Sequence, residues 1–474
     1  MQQADVVVYD RLAHPVLLTF TRPDARLIYA GKESSKHVMP QEEINRLLVR
    51  EAQKGQTIVR LKGGDPAIFG RVGEEAQACR EAGIPFDVVP GVTSGTAVPM
   101  YAGIPLTHRD YDSSVTFLTG HPCEQNAMQG LNWTALAALP SLVIYMGVKN
   151  LPFIQKQLLD HGMAPDTPVA LVRWGTVSRQ QTLVGKLDKI AQQAQAARFQ
   201  APAIIVIGEM VRLREELNWH ETKPLFGTTV ACAIADDPSP AEWTAPLTAL
   251  GAEVVPVRLI SRPLPSPYAE QFVQALDTYH WLVFSDRRQV EFFFQILREH
   301  RWDIRRLKAQ LAVLGQDAAD ALENRGLLTS RILPAGLSID QIRRRLAAPS
   351  ENICFLQGGF ETALVKENDT VLSLGRLIWD NNHPAAPLIK SQPFHAYAAA
   401  DPYHLSGLAE FIGEKWQSAP LYCFDSLTAQ QARKMGWKHI IQWASHWEPA
   451  HQDAATPHLP LPEYPPTPAL RTQN

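Results

Sequence analysis

The chain has 474 residues, 45% hydrophobic and 20% charged, with a formal net charge of −3, which allows two or three domains and is ordinary for a soluble globular protein. A balance this close to neutral gives no reason to expect nucleic acid or an acidic membrane as partner. No apolar run reaches the roughly 20 residues of a membrane span and no signal-peptide pattern opens the chain; the five cysteines lack paired spacing, which argues for a reducing cytoplasm without a disulfide framework or a cysteine metal site.

Residues 6–9 read as a buried strand, one apolar residue after another, with Asp10 at its end. A second short strand at 27–30 leads into Gly31-Lys32. Residues 41–53 place Ile44, Leu47, Leu48 and Ala52 on one helical face. The apolar run 58–61 breaks at Gly63-Gly64-Asp65-Pro66 before a helix expected over 73–82, which Gly83 stops. Two adjacent glycines at a strand end leave backbone groups open to a ligand. Asp65 then offers a carboxylate to ribose hydroxyls or an amino group, at the strand ends where open α/β sheets bind ligands. A strand at 86–89 and the Pro90-Gly91 turn continue a βαβ rhythm that predicts a mainly parallel sheet. From about Ser114 a second lobe is expected, with strands at 115–119, 142–145, 169–173 and 203–207 and a helix over 150–161. The two lobes should face each other across a cleft.

The pattern restarts near 223–227, with a strand at 229–234, a helix at 241–250 and a strand at 253–259. Residues 261–267 carry three prolines and read as a connector. Two later units, 311–327 and 421–437, share a leading Leu, an Ala eight residues on and a Gly fifteen on. Each follows a hydrophobic strand-turn-helix segment, near 281–294 and near 396–412, which implies an internal duplication and two similar α/β lobes. The tail from 449 to 474 has seven prolines and little apolar pattern, a composition that predicts disorder.

Several motifs occur in one order: VVVYDRL (6–12), GK (31–32), RLKGGDPAIFGR (60–71), VVPGVTSG (88–95), YAGIPLTHRD (101–110), VTFLTGH (115–121), IYMG (144–147), then TPVALV, WGT and PAIIVIGEMVRLREELNW. Together they resemble the uroporphyrinogen-III C-methyltransferases, S-adenosylmethionine-dependent tetrapyrrole methylases that also form one module of sirohaem synthases. The second half resembles uroporphyrinogen-III synthase more loosely. The resemblance implies a two-lobed methylase fold over 1–224 (lobes about 1–112 and 113–224), a bilobed α/β synthase-like domain over 225–450 and a Pro-rich tail over 451–474. It also implies a homodimer, a small tetrapyrrole substrate and a cytoplasmic place in sirohaem or cobalamin synthesis. Family members begin with a further strand and a GxGPGD-type cofactor loop. By that likeness 1–4 would be the tail of the next helix, and the first strand and loop would be missing, through a late start site or a real loss.

Methyl transfer from a sulfonium is an in-line displacement, so the enzyme mainly holds donor and acceptor in line. The pigment must also lose one proton and regain another, which calls for a base and an acid. By resemblance Asp10 is the proton acceptor and Lys32 the proton donor. By the same resemblance the donor pocket would comprise Gly63, Gly64, Asp65, Ile68, Thr93, Ser94 (where relatives often have Ala), Met146 and Gly175. Met146 would supply a soft, polarizable contact, and Gly175 a close backbone approach to the ligand. An acceptor with eight carboxylates needs cations at the cleft mouth; of Arg11, Lys32, Arg60, Lys62, Arg71, His108 and Arg109, the first choices are Arg11 and Arg109, since Arg can grip a carboxylate with two donors. No cluster has metal-ligand spacing, and the chemistry needs no metal.

The implied activity is double C-methylation of uroporphyrinogen III to precorrin-2, with cyclisation of hydroxymethylbilane by the second half. Ser285-Asp286-Arg287-Arg288 and Ala400-Asp401-Pro402 stand at turns where that family favours small hydroxyl residues, Gln357-Gly358-Gly359 stands near its Arg-Gly, and Trp379 falls where it has Tyr. These changes are expected to impair the cyclisation. The alternatives are a non-catalytic tetrapyrrole-binding remnant and a methylase of a later corrin intermediate.

Overall fold

The computed structural model describes residues 1–31, 39–111, 113–120, 130–235, 241–334, 337–348, 350–358, 364–366, 369–413 and 418–442. Lys32, Cys123 and the tail from 449 lie outside them.

The first sheet is wholly parallel: strand β1 (Val6–Tyr9) lies between β2 (Arg26–Tyr29) and β3 (Ile58–Leu61). Val6, Val7 and Val8 are all fully buried, as an unbroken apolar run in a strand covered on both faces should be. On one side Val6 and Val8 meet Ile44, Leu47 and Leu48 of helix α1 (Gln41–Ala52). Glu42 and Glu43 in its first turn and Arg50 in its last suit the helix dipole. On the other side Val7 meets Leu18 of the 3₁₀ turn Pro15–Phe20, together with Ala385 and Leu388 from far along the chain. Part of the first sheet is thus covered by the second half.

Helix α2 (Val72–Glu81) follows β3 as expected. The strand expected at 86–89 does not form: no pairing is made there, and Phe86, Val88 and Val89 stand 47%, 46% and 79% exposed. An apolar alternation makes a strand only where a neighbour supplies the ladder of hydrogen bonds, and none of the described residues does so here.

Helix α3 (Ser94–Tyr101) then crosses to the second sheet, packing Val98, with Ala102 and Ile104 beyond it, against Val143, Tyr145 and Val206. That sheet runs in the order β4 (Thr116–Thr119), β5 (Leu142–Tyr145), β8 (Ala203–Ile207), β6 (Pro168–Arg173), β7 (Gln181–Lys186). It is mixed: β4–β5 is parallel and the remaining pairs are antiparallel.

The second half contains two six-stranded sheets. One runs Gly375–Trp379, Glu253–Pro263, Thr229–Ile234, Ala396–Ala399, Leu421–Cys423, Ile440–Gln442. The other runs Arg331–Leu333, Gln310–Leu314, Trp281–Phe284, Ile353–Leu356, Asp369–Leu372, Leu364–Lys366. In each sheet the echoed units add successive parallel strands outward in the same sense. The stretch expected as a connector from 261 is instead strand as far as Pro263, because Leu259–Pro263 pairs antiparallel with Gly375–Trp379, the segment that returns between the lobes. Among the described residues no helix is long and apolar enough to cross a membrane.

Candidate active site

Five loops at the ends of the first two sheets touch one another. The turn after β1 carries Asp10, whose Oδ1 accepts from the Leu12 and Ala13 amides at 3.1 and 3.2 Å. Its Oδ2 is turned toward Arg60 Nη2 at 3.6 Å, and the side chain remains about a quarter exposed (27%). Gly63 lies directly beneath this turn: a Cβ there would sit 2.9 Å from the Leu12 carbonyl oxygen. Gly64 adopts φ +76°, which favours glycine, and its carbonyl leaves no room for a Cβ on Gly91.

Asp65 binds the loops together. Its Oδ1 accepts from the Ala67 amide at 2.8 Å and its Oδ2 from the Gly91 amide at 3.0 Å. The Gly91 and Ala67 amides hold this carboxyl below the usual carboxylate range. Both oxygens of Asp65 thus accept from its own loops, and each keeps further lone-pair capacity for a ligand.

Thr93 and Ser94 begin α3, and Thr93 Oγ1 lies 2.6 Å from the Tyr145 hydroxyl, which also accepts from the Gly95 amide at 2.8 Å. The Phe69 ring, beside Ile68, packs at 4.8 Å on the Tyr145 ring. Met146 follows with φ +55° and half its surface exposed, turned out of the sheet at the end of β5. Tyr145 is therefore the post that joins the 63–71 loop, the 91–95 loop and β5. Sequence reading missed it because an aromatic at a strand end looks like core; its hydroxyl at that end was the only signal.

A Cβ on Gly175 would strike the Val98 side chain, so glycine at this position also lets α3 pack closely against the turn.

The cations divide. Arg60 and Lys62 are engaged by Glu75 of α2, part-buried against it with Arg60 Nε 3.2 Å and Lys62 Nζ 2.9 Å from Glu75 Oε1. Burial pushes the Lys62 ammonium down and neighbouring Arg60 pushes it the same way, while Glu75 opposes both. Arg71 is taken by Glu74 at 2.6 Å. Arg11 remains exposed, its guanidinium 5.9 Å from the centre of the Trp174 ring, across which Arg179 stacks at 3.5 Å. Arg109 is exposed in the loop after α3, and among the described residues no hydrogen bond or ion pair ties it to this cluster. These contacts link the segments that carry Asp10, Arg11, Gly63, Gly64, Asp65, Ile68, Thr93, Ser94, Met146 and Gly175, and Lys32 falls outside the described residues.

In the second half, two helix starts meet across the lobes. Asp286 caps helix Arg287–Glu299 by accepting from the Gln289 amide, and Asp401 caps helix Pro402–Ile412 by accepting from the His404 amide. The Tyr403 hydroxyl donates to Asp286 Oδ2 at 2.8 Å and accepts from Gln289 Nε2 at 2.7 Å. Arg288 Nε lies 3.6 Å from Asp401 Oδ2. Burial pushes the Asp286 carboxyl up, whereas Asp401 is brought down to about 2 because the His404 and Arg288 interactions outweigh its burial. A Cβ on Gly358 would overlap the Tyr403 ring. This network joins the two lobes and occupies the helix N-termini that an anionic ligand would otherwise use.

Comparison with known proteins agrees with the order of these parts. The family of tetrapyrrole (corrin/porphyrin) methylases matches residues 1–191, and the family described as uroporphyrinogen-III synthase HemD matches residues 241–364. A uroporphyrinogen-III C-methyltransferase of Bacillus subtilis is 43% identical over 336 residues, covering 70% of this chain and 69% of that protein. A sirohaem synthase of Azotobacter vinelandii is 49% identical over 222 residues, 47% of each protein. The chain therefore spans about half the length of that sirohaem synthase. A solved uroporphyrin-III C-methyltransferase of Thermus thermophilus, complexed with S-adenosyl homocysteine, is 34% identical with a TM-score of 0.38, covering 45% of this chain and 89% of that one.

Proposed function

This chain belongs to the uroporphyrinogen-III C-methyltransferases of the tetrapyrrole methylase family, and from that premise we propose that it methylates uroporphyrinogen III twice, using S-adenosylmethionine, to give precorrin-2. The observation that carries this reading is the contact among the segments that carry Asp10, the 63–65 turn, the 91–95 loop and Met146. The cradle suits the donor: glycine backbone without side chains at 63, 64 and 91, beside the exposed apolar Ile68, Phe69 and Met146. Bound there, S-adenosylmethionine supplies an electrophilic methyl group on a sulfonium. Gly63, Gly64, Thr93, Ser94 and Met146 hold it, and Asp65 keeps the two glycine loops in register. Asp10 Oδ2 is the proton acceptor, since its partner oxygen is committed to the Leu12 and Ala13 amides and cannot swing away. Lys32 serves as the proton donor, and Arg11 and Arg109 meet acceptor carboxylates.

The test is methyl transfer by the full chain to uroporphyrinogen III, read by mass and by the absorbance of the oxidised product. Asp10→Asn should lower the rate ~10²–10⁴-fold, the usual contribution of a general base, with donor affinity intact. A variant that turns over like the parent would remove Asp10 from this role.

For the second half, the Asp286–Tyr403–Gln289 network favours impaired cyclisation of hydroxymethylbilane, because two carboxylates and a tyrosine occupy the helix starts between its lobes. Supplying hydroxymethylbilane and separating the isomers decides the matter: the spontaneous type I product is expected, and predominant type III product would refute it.

A further inference from the structure

The turn after β6 is strained and built around an aromatic shelf. Trp174 and Thr176 have φ +48° and +73°, a region that bulky and β-branched residues rarely enter. Such strain persists only where surrounding contacts hold it. Here Gln180 does so, its Oε1 accepting from the Thr176 amide at 2.8 Å while its Nε2 donates to Glu221 Oε1 at 2.7 Å. The result is to present the indole to two guanidiniums, Arg179 at 3.5 Å and Arg11 at 5.9 Å from its centre. A guanidinium stacked by its face keeps its N–H donors at the edge, in the fork that matches a carboxylate.

The two loops carrying these arginines are tied by one residue of the second half. Glu253 Oε1 accepts from His14 Nε2 at 2.8 Å, three residues after Arg11. Its Oε2 accepts from the Ser178 amide at 2.8 Å, the residue before Arg179. Ser178 Oγ is further held 2.7 Å from Thr229 Oγ1. Glu253 begins a strand whose stretch Glu253–Arg258 pairs with Thr229–Ile234, so the tie is anchored in a sheet and not in a loop.

We propose that Arg11 and Arg179, aligned on Trp174, form the clamp that takes carboxylate groups of the methyl acceptor, and that Glu253 is a positioning residue that sets the spacing of the clamp. This rests on the acceptor being the octacarboxylate tetrapyrrole named above. It gives the second half a part in methyl transfer that does not depend on any cyclising activity of its own.

The test is equilibrium binding to the full chain of uroporphyrin III, a stable octacarboxylate, and coproporphyrin III, which has four carboxylates, with donor affinity measured separately by calorimetry. Arg11→Ala and Arg179→Ala should each weaken uroporphyrin III about tenfold, the scale of one lost charge-assisted pair, with a smaller effect on coproporphyrin III and donor affinity unchanged. Glu253→Ala should weaken uroporphyrin III in the same way, and Glu253→Gln, which keeps one of the two acceptor oxygens, should weaken it less. Parental uroporphyrin affinity in folded Arg179→Ala overturns the clamp, and parental affinity in Glu253→Ala overturns its positioning. Should Arg179→Ala not fold, Arg179→Lys keeps the charge but loses the fork and should weaken binding about threefold; parental affinity there overturns the clamp equally. A parent chain that binds the donor but neither porphyrin refutes the acceptor assignment itself, and the clamp with it.

Discussion

Replacing Glu75 by Gln preserves the shape of the α2 side chain and removes its charge from between Arg60 and Lys62. The three side chains are 6%, 14% and 10% exposed, so water can do little to replace the lost carboxylate. At the observed 2.9 Å and an effective dielectric of 20, the Lys62–Glu75 attraction alone is about 6 kcal/mol, an upper bound before desolvation is charged against it. Breaking a buried pair by removing one partner costs about 3–5 kcal/mol, and the residual exposure places this site near 3. Because β3 and α2 flank the glycine turn, the loss is local. Amide exchange over 58–61 and 72–81 should accelerate about 10²-fold, the equivalent of ~3 kcal/mol, measured by mass spectrometry on the full chain. Donor affinity should fall with it, since Lys62 leads directly into Gly63. In a Lys62→Met background the same substitution should cost no more than ~1–2 kcal/mol, because one uncompensated cation has already gone. Exchange within threefold of the parent, or an equal cost in both backgrounds, would refute the view that Glu75 holds this turn through its charge.

Glu253 titrates at about 2 in the folded chain, burial being outweighed by the His14 and Ser178 hydrogen bonds. Its folded value lies below the ordinary 4.5, so its contribution is complete above pH 4.5 and is lost as pH falls toward 2. That contribution is about 3 kcal/mol; the stability gap between parent and Glu253→Gln chains should therefore close as pH falls from 4.5 toward 2, and parallel curves would contradict it. Gly91→Ala should abolish donor binding while leaving the second half folded, because the new Cβ meets the Gly64 carbonyl; calorimetry showing parental affinity would mean the two loops can part. The amides of 86–89 should exchange at near-unprotected rates while those of β1 stay protected, and protection at 86–89 in the isolated chain would reveal a strand partner not seen among the described residues.

Much was legible in the sequence because it depends on neighbours along the chain. The apolar run of β1, the period of α1, the glycine stop after α2 and the repeated strand–helix units of the second half follow from local pattern and burial. The motif order was enough to single out Asp10, the 63–65 turn, Thr93, Ser94 and Met146 as one set, and the contacts among their loops are what the structure adds. What failed depended on partners elsewhere. Residues 86–89 have the composition of a strand but no ladder to join, and 261–263 look like a connector yet find one in 375–377. Arg60 and Lys62 read as mouth cations until Glu75, on a different element, claims them. The Val98 contact at Gly175 and the ties from Glu253 to His14 and Ser178, 239 and 75 residues away, exist only once folding brings the partners together. Periodicity and motif report what a residue is suited to do; charge pairing, strand pairing and steric approach act through space, so only the tertiary structure decides which of those capacities is used.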